Sequence, residues 1–151
     1  MNIFDKVITE FDAALRVCAG VENAHRKNPA ASEPDVELSS DERKLSRCLL
    51  RVNHCGEVCA QALYRGQALV AKDKSTQDFL LQAADEEIDH LAWCRERIKV
   101  LGGKTSLLDP LFYFMSASLG TVTGLLGDKL SLGFVDETEQ QVEQHLDTHL
   151  D

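Results

Sequence analysis

The fold is decided by the stretch Asp85-Glu86-Glu87-Ile88-Asp89-His90-Leu91-Ala92-Trp93-Cys94. Glu87 and His90 are three residues apart, so on a helix the carboxylate and the imidazole lie on one face, one turn apart. A carboxylate oxygen and an imidazole nitrogen together suit iron or manganese. Helical bundles that hold two metal ions use this Glu-x-x-His unit in each half, with a lone glutamate from another helix. The stretch therefore predicts part of a metal site.

The helix that carries this unit is predicted over about 76–101 and ends at Gly102-Gly103, a common C-terminal signal. Its apolar seam advances by four and three residues and consists of Leu80, Ala84, Glu87, Leu91, Cys94, Ile98 and Leu101. Only Glu87 in this seam is charged, and a lone carboxylate among apolar side chains is costly unless a partner compensates it. The seam thus favours the interpretation of Glu87 as a metal ligand. An isolated Glu-x-x-His unit would instead suggest a solvent-exposed face. We expect Asp85, Glu86 and Asp89 to be surface charges.

The preceding helix, predicted over about 40–72, supplies a lone glutamate. One seam contains Leu45, Leu49, Val52, Gly56, Cys59, Leu63, Gly66 and Val70, and a neighbouring stripe contains Leu50, His54, Glu57, Gln61, Tyr64 and Ala68. At ~1.5 Å per residue, Glu57 and Glu87 both lie roughly 17–22 Å from the turn between the two helices. In an antiparallel hairpin they face each other, so Glu57, Glu87 and His90 form one half-site. Taken alone, the stripe around Glu57 could also be a polar flank.

The last predicted helix, about 130–150, repeats the pattern. Its seam consists of Leu132, Val135, Glu139, Val142, Leu146 and Leu150, again with one glutamate in an apolar line. Glu139 would therefore open the second half-site, although its acidic neighbours leave a solvated acidic face as the alternative. No second Glu-x-x-His follows, because neither His145 nor His149 has a glutamate three residues before it.

Length and charge limit the classes of function. The 151 residues are enough for one domain with a buried core. We expect residues 1–38 to form an N-terminal amphipathic helix and a linker, and residues 39–151 to form an incomplete helical domain that carries the site. The net charge of −9, without a basic cluster, argues against nucleic-acid binding, and any membrane contact would have to be apolar insertion. The five cysteines, an odd number without Cys-x-x-Cys, indicate reduced thiols.

Residues 107–126 form the most apolar stretch and approach the length of a transmembrane helix. Serine, threonine and glycine within the stretch also suit a tightly packed helix, so we favour a buried or interfacial segment over a full span. Gly120 and Gly124 are four residues apart, a spacing found where two helices pack closely.

Three motifs together resemble one known family. They are Arg51-Val52-Asn53-His54-Cys55-Gly56-Glu57-Val58-Cys59-Ala60, Glu86-Glu87-Ile88-Asp89-His90-Leu91-Ala92-Trp93, and Ser131-Leu132-Gly133-Phe134-Val135 before Thr138-Glu139. They are similar to the bacterial branch of the demethoxyubiquinone hydroxylases of ubiquinone biosynthesis, over roughly residues 40–150. Generic ferritin-like proteins share the glutamates and the Glu-x-x-His unit but not the residues that flank them.

The resemblance implies an all-α, ferritin-like antiparallel bundle. It also implies a di-iron monooxygenase that hydroxylates a demethoxylated polyprenyl benzoquinol, with dioxygen and an external reductant as co-substrates. The family's iron ligands map onto Glu57, Glu87, His90 and Glu139. His54 and Tyr64, on the same stripe as Glu57, are candidates for groups that support the ligands or face the substrate.

The resemblance further implies a peripheral protein at the cytoplasmic face of the bacterial inner membrane, with the quinol in the membrane and other ubiquinone-biosynthesis proteins as potential partners. We expect a C-terminally truncated chain, because the family's final ligand-bearing helix is absent from it. Two alternatives stay open: a ferritin-like iron-binding or peroxide-reducing protein, and an inactive truncated helical fragment. The apolar stretch over 107–126 favours a lipid substrate over the first alternative.

Overall fold

The computed structural model describes the backbone of residues 3–147 and the side chains of residues 4–147. Over that range it contains five α-helices and a short 3-10 turn, with no strand. The helices are α1 (Ile3–Ala19), α2 (Ser40–Val70), α3 (Lys74–Val100), α4 (Asp109–Leu125) and α5 (Asp128–Asp147). The prediction of an all-α bundle is confirmed. His149 and Leu150, part of the predicted last helix, lie outside the described residues.

Helices α2 and α3 form an antiparallel hairpin. Ser39 begins α2 with a capping box, in which its hydroxyl accepts a hydrogen bond from the Glu42 backbone N–H at 3.3 Å and the Glu42 carboxylate accepts one from the Ser39 N–H at 2.8 Å. Asp128, the first residue of α5, holds the hairpin turn. Its carboxylate accepts hydrogen bonds from the backbone N–H groups of Lys72 and Asp73, at 3.1 and 2.8 Å. Helix α5 therefore begins at the tip of the hairpin.

The predicted apolar seam of α3 is buried, including Leu80, Ala84, Leu91, Ile98 and Leu101. On α2 the outcome differs from the expectation. Leu45 and Val52, at the start of the predicted seam, are exposed, and only Leu63 and Gly66 of the seam are buried. The neighbouring polar stripe lies in the core instead, because His54 and Tyr64 are both almost fully buried.

Helix α4 runs parallel to α2. His54, near the middle of α2, lies beside Asp109 at the start of α4, and further along both helices the Gln67 amide donates a hydrogen bond to the Thr123 hydroxyl at 3.4 Å. From the first contact to the second, the residue numbers increase on both helices, so α2 and α4 run in the same direction. The start of α4 is thus held beside the middle of α2.

The crossing of α2 and α4 is close enough to require glycine. A Cβ atom on Gly120 would lie 2.1 Å from the Leu63 carbonyl oxygen, and one on Gly66 would lie 2.2 Å from the Ala117 carbonyl oxygen. A Cβ on Gly124 would also be overcrowded, at 2.6 Å from a methyl group of α2. The four-residue spacing of Gly120 and Gly124 is therefore a packing motif in this fold, as the sequence suggested.

The other face of α4 and one face of α1 expose large apolar side chains. On α4 these are Leu111, Phe114, Met115, Leu119, Val122 and Leu125, and on α1 they are Phe4, Val7, Ile8, Phe11 and Leu15. The two helices are neighbours, because Val7 and Phe11 line one groove together with Phe114. The predicted apolar segment is therefore half buried and half exposed. Within residues 3–147 no helix has the length and apolar character needed to cross a membrane.

Candidate metal centre

Glu57 of α2 meets Glu87 and His90 of α3 at the middle of the hairpin. One potential ligand atom from each residue lies within 4.8 Å of the other two. His90 Nδ1 is 3.0 Å from Glu87 Oε2 and 3.9 Å from Glu57 Oε2. The structure thus brings together the three side chains that were expected to face each other at similar distances from the hairpin turn.

The two carboxyl groups are in electrostatic conflict. Burial, and then the hydrogen-bonded and charged Glu87 carboxylate, raise the pKa of Glu57 far above its usual value. The hydrogen bond that the His90 ring donates to the Glu87 carboxylate raises the pKa of His90, although partial burial opposes the shift. Two acidic groups that compete for one proton in a partly buried site are well matched to a divalent cation, which replaces the proton and neutralises both charges.

The donor set also fits the cation. Two carboxylates and one imidazole suit a non-haem iron site. The Glu57 and Glu87 side chains are only 17% and 15% exposed, whereas the His90 side chain is 42% exposed. The residues present therefore fit an iron ion of one half-site.

Tyr64 and Glu139 line the same cavity as these three side chains, a space of about 340 Å³. The Tyr64 hydroxyl donates a hydrogen bond to Glu139 Oε1 at 3.3 Å. Glu139 is an exposed residue and is not part of the group whose ligand atoms lie within 4.8 Å of one another. The structure thus places Glu139 at the wall of the cavity, beside the predicted half-site rather than inside it.

The α5 side of this cavity is open. Val142 and Leu146, which continue the predicted seam beyond Glu139, are 38% and 39% exposed. Only the first turns of α5 are packed, where Ser131 and Val135 are buried. The seam of α5 is therefore an apolar wall of the cavity and not a buried core line over its whole described length.

His54 lies in a different cavity, of about 400 Å³, together with Arg95 and Asp109. Its Nδ1 atom is 3.4 Å from Asp109 Oδ2. Burial, and then the positive charge of Arg95, lower the pKa of His54 to about 4, so the ring is neutral at physiological pH. His54 thus faces α4, whereas Tyr64 faces the cavity lined by Glu57, Glu87 and His90.

The expectation that Asp89 is a surface charge is wrong. Asp89 is 2% exposed, and its carboxylate accepts hydrogen bonds from Arg26. No local sequence pattern indicates this burial, since the partner Arg26 comes from the segment before α2. Asp85 and Glu86 are exposed as expected.

Trp93 also adjoins the site. Its ring centroid is 5.5 Å from that of His90, with the planes tilted by 49°. Trp93 belongs to one of the sequence motifs, but its contact with His90 was not among the expectations. A spacing of three residues on a helix is sufficient to explain it.

Comparisons with known proteins agree with this chemistry. The sequence model of a family described as "Ubiquinone biosynthesis protein COQ7" matches residues 44–151. A protein of Chromobacterium violaceum named 3-demethoxyubiquinol 3-hydroxylase is 53% identical over 148 residues, which are 98% of this chain and 72% of the relative. Proteins of the same name from Dechloromonas aromatica and Ralstonia pickettii are 54% and 51% identical; the matches cover 97% and 99% of this chain and 70% and 74% of those relatives. No solved structure matches the chain.

Proposed function

This chain belongs to the COQ7 family of ubiquinone biosynthesis proteins, and from that premise we propose that it hydroxylates the ring of a demethoxylated polyprenyl benzoquinol. The names of its relatives favour this monooxygenase function over iron storage or peroxide reduction. The observation that carries the proposal is the cluster of Glu57, Glu87 and His90 on a partly buried cavity.

We assign Glu57, Glu87 and His90 as ligands of one iron ion, and Glu139 as the residue that opens a second position. The raised pKa of Glu57 supports the first assignment, because a cation relieves the conflict between the two carboxyl groups. The shared cavity supports the second. When bound, a pair of ferrous ions would activate dioxygen for insertion of one oxygen atom into the electron-rich ring, with an external reductant supplying electrons.

The chain's own residues have separate tasks in this reaction. Glu57 and Glu87 supply charged oxygens, and His90 supplies a neutral nitrogen whose orientation is set by its contact with Glu87. The Tyr64 hydroxyl donates a hydrogen bond to the Glu139 carboxylate, and this bond holds the carboxylate at the cavity wall. The apolar side chains of Val142 and Leu146 on α5 line the open side of the same cavity.

The substrate carries a long apolar tail, and the exposed apolar faces of α1 and α4 match it. Phe114 on α4 is 73% exposed and Phe4 on α1 is 75% exposed. Because the net charge is −9, attraction to an anionic lipid surface would not hold the protein there, whereas insertion of these side chains would. We therefore propose peripheral attachment at the cytoplasmic face of the bacterial inner membrane, through α1 and α4.

The test is turnover of the purified chain loaded anaerobically with ferrous iron. A demethoxylated quinol with a short tail, a reductant and isotopically labelled dioxygen are added, and the product is analysed by mass spectrometry. We expect one labelled oxygen atom in the quinol ring, and no label with Glu87→Gln. Iron oxidation without labelled quinol would support the ferritin-like alternative, and failure to bind iron would support the inactive fragment.

A further inference from the structure

The segment between α1 and α2 is bound along α3. Helix α1 ends at Gly20, whose φ of 66° turns the chain towards α3. Beyond it Glu22 forms an ion pair with Arg95 at 3.1 Å, and Asp35 forms one with Arg97 at 2.8 Å. We call residues 20–38 the strap. Although the composition of its second half suggested a linker, it makes specific contacts with the helix that carries the metal ligands.

The central contact of the strap is with Asp89. This carboxylate accepts three hydrogen bonds: from the backbone N–H of His25 at 2.5 Å, from the backbone N–H of Arg26 at 3.3 Å, and from Arg26 Nε at 2.5 Å. The Asp89 side chain is 3% exposed, whereas Arg26 is 55% exposed. A buried carboxylate is retained at such a position only when its charge is compensated, and here the strap compensates it.

The same arginine continues towards the metal site. The Arg26 guanidinium carbon lies 5.8 Å from the centroid of the Trp93 ring, within the range of a cation–π contact. Trp93 in turn contacts the His90 ring, and His90 Nδ1 lies 3.0 Å from Glu87. An unbroken series of contacts therefore leads from Asp89 through Arg26 and Trp93 to a proposed iron ligand.

His90 needs such support more than the other ligands do. Its side chain is the most exposed of the three, so core packing alone does not fix its rotamer. Glu87 restrains the ring through one nitrogen, and Trp93 limits its tilt from the side. Ligands held in place before the metal arrives bind it more tightly, because less conformational freedom is lost on binding.

We propose that Asp89 and Arg26 are positioning residues for the metal site: the strap fixes Trp93, and Trp93 fixes the imidazole of His90. The inference rests on the proposed role of His90 as a ligand. It gives the segment before α2 a part in metal binding, although that segment contains none of the proposed ligands.

The test measures metal affinity rather than turnover. Co²⁺ is titrated anaerobically into the chain, and binding is followed by the visible absorption of the bound ion. Trp93, the single tryptophan of the chain, provides a second signal through quenching of its fluorescence. Asp89→Asn and Arg26→Gln are each expected to weaken Co²⁺ binding about tenfold, the lower end of the range for residues that orient metal ligands. Both should also shift the Trp93 emission before metal is added.

Asp35→Asn is the matched control. It removes another ion pair between the strap and α3, but one that involves Arg97 and not Trp93. We expect the Co²⁺ affinity to change by less than about twofold, because substitutions away from an interacting group act independently of it. The Trp93 emission should not change. Arg26→Gln keeps the test valid if Asp89→Asn does not fold, because Arg26 is a half-exposed residue.

The outcomes separate this inference from the proposed function. If the unmodified chain binds no Co²⁺ or Fe²⁺, the metal site itself is wrong. If the unmodified chain binds Co²⁺ and Arg26→Gln binds it equally well, the metal site stands and the positioning role is wrong. A double variant that loses no more affinity than either single variant would show that Asp89 and Arg26 act as one unit.

Discussion

The two sides of helix α2 differ in how they contact their neighbours. Towards α4 it presents Gly66 and the backbone of Leu63, and the helices touch so closely that a single methyl group would not fit. Towards α3 it presents Glu57, whose carboxyl group meets that of Glu87 in a partly buried space. The first side is optimised for packing, and the second side keeps an unfavourable pair of like charges.

The difference separates a side of α2 that contributes stability from the side on which we propose the metal site. Close backbone contact maximises dispersion forces and fixes the angle between α2 and α4. The acidic side weakens the metal-free protein, and this cost is understandable if a cation completes the site. The closely packed side thus holds α2 in place, and the acidic side is the one to which we assign the metal site. The following variants test this contrast, from the largest expected effect to the smallest.

The largest effect is expected for Gly120→Ala. Its new Cβ atom would lie 2.1 Å from the Leu63 carbonyl oxygen, and a backbone atom cannot move aside as a side chain can. We expect a loss of about 3 kcal/mol in the free energy of unfolding, at the upper end of overpacking effects. Urea denaturation followed by circular dichroism measures it.

Gly133→Ala is the control for this variant. Gly133 lies within α5, and a Cβ atom there would have no neighbour within 4 Å. Alanine should stabilise the helix by up to about 1 kcal/mol. If Gly133→Ala destabilised the protein as much as Gly120→Ala, the close approach of α4 to α2 would not explain the effect at Gly120.

Glu57→Gln should abolish tight metal binding. The amide keeps the shape of the side chain but removes the charge that balances the cation. We expect Fe²⁺ or Co²⁺ affinity to fall at least about 100-fold, since substitutions that merely misorient ligands already cost up to that much. Anaerobic equilibrium dialysis measures the loss, with the exposed residue Asp85→Asn as the control.

The same variant should make the metal-free protein more stable at neutral pH. Because the folded state raises the pKa of Glu57, it keeps a proton that the unfolded chain has already lost. Stability from this residue is therefore complete below the usual glutamate pKa and is lost as the pH rises towards the raised value. Glu57→Gln should remove that slope and gain at least about 1.4 kcal/mol at pH 7, the equivalent of one pKa unit.

Thermal denaturation of the metal-free chain from acidic to neutral pH tests this prediction. Glu96→Gln, an exposed residue on α3, serves as the control for removal of one negative charge. A Glu57→Gln variant that is less stable than the unmodified protein at pH 7 would mean that the carboxylate has a favourable partner in the metal-free state.

Glu139→Gln should have the smallest effect on binding of the first metal ion. Glu139 lies at the cavity wall and is held by Tyr64, outside the group of three close ligand atoms. We expect at most about a tenfold loss of Co²⁺ affinity, as for a residue that supports ligands. A loss as large as that of Glu57→Gln would instead place Glu139 among the ligands of the first ion.

The proximity of Glu57, Glu87 and His90 could be predicted because it depends on short-range rules. Helical periodicity places Glu87 beside His90, and equal distances from a hairpin turn place Glu57 opposite both. The same arithmetic explains a finer point. Tyr64, seven residues after Glu57, differs from it by only roughly 20° around the helix axis, whereas His54, three residues before it, differs by roughly 60°. That rotation is enough to direct His54 towards α4.

The rest depends on long-range contacts that no local pattern encodes. Asp89 is buried because the side chain of Arg26, 63 residues earlier in the chain, reaches it. The exposure of Glu139 depends on how far α5 diverges from the hairpin, which its own seam does not determine. Helical periodicity singled out Glu139, but the path of α5 relative to the hairpin determines which residues surround it.

The most direct test of the account is anaerobic ferrous-iron binding, measured by equilibrium dialysis at pH 7 on the unmodified chain and on Glu57→Gln, Glu87→Gln and His90→Ala. We expect the unmodified chain to retain iron and each of the three variants to lose it, while Asp85→Asn retains it. Iron that stays bound in all three ligand variants, or an unmodified chain that binds none, would contradict the claim that this strained cluster is the metal centre.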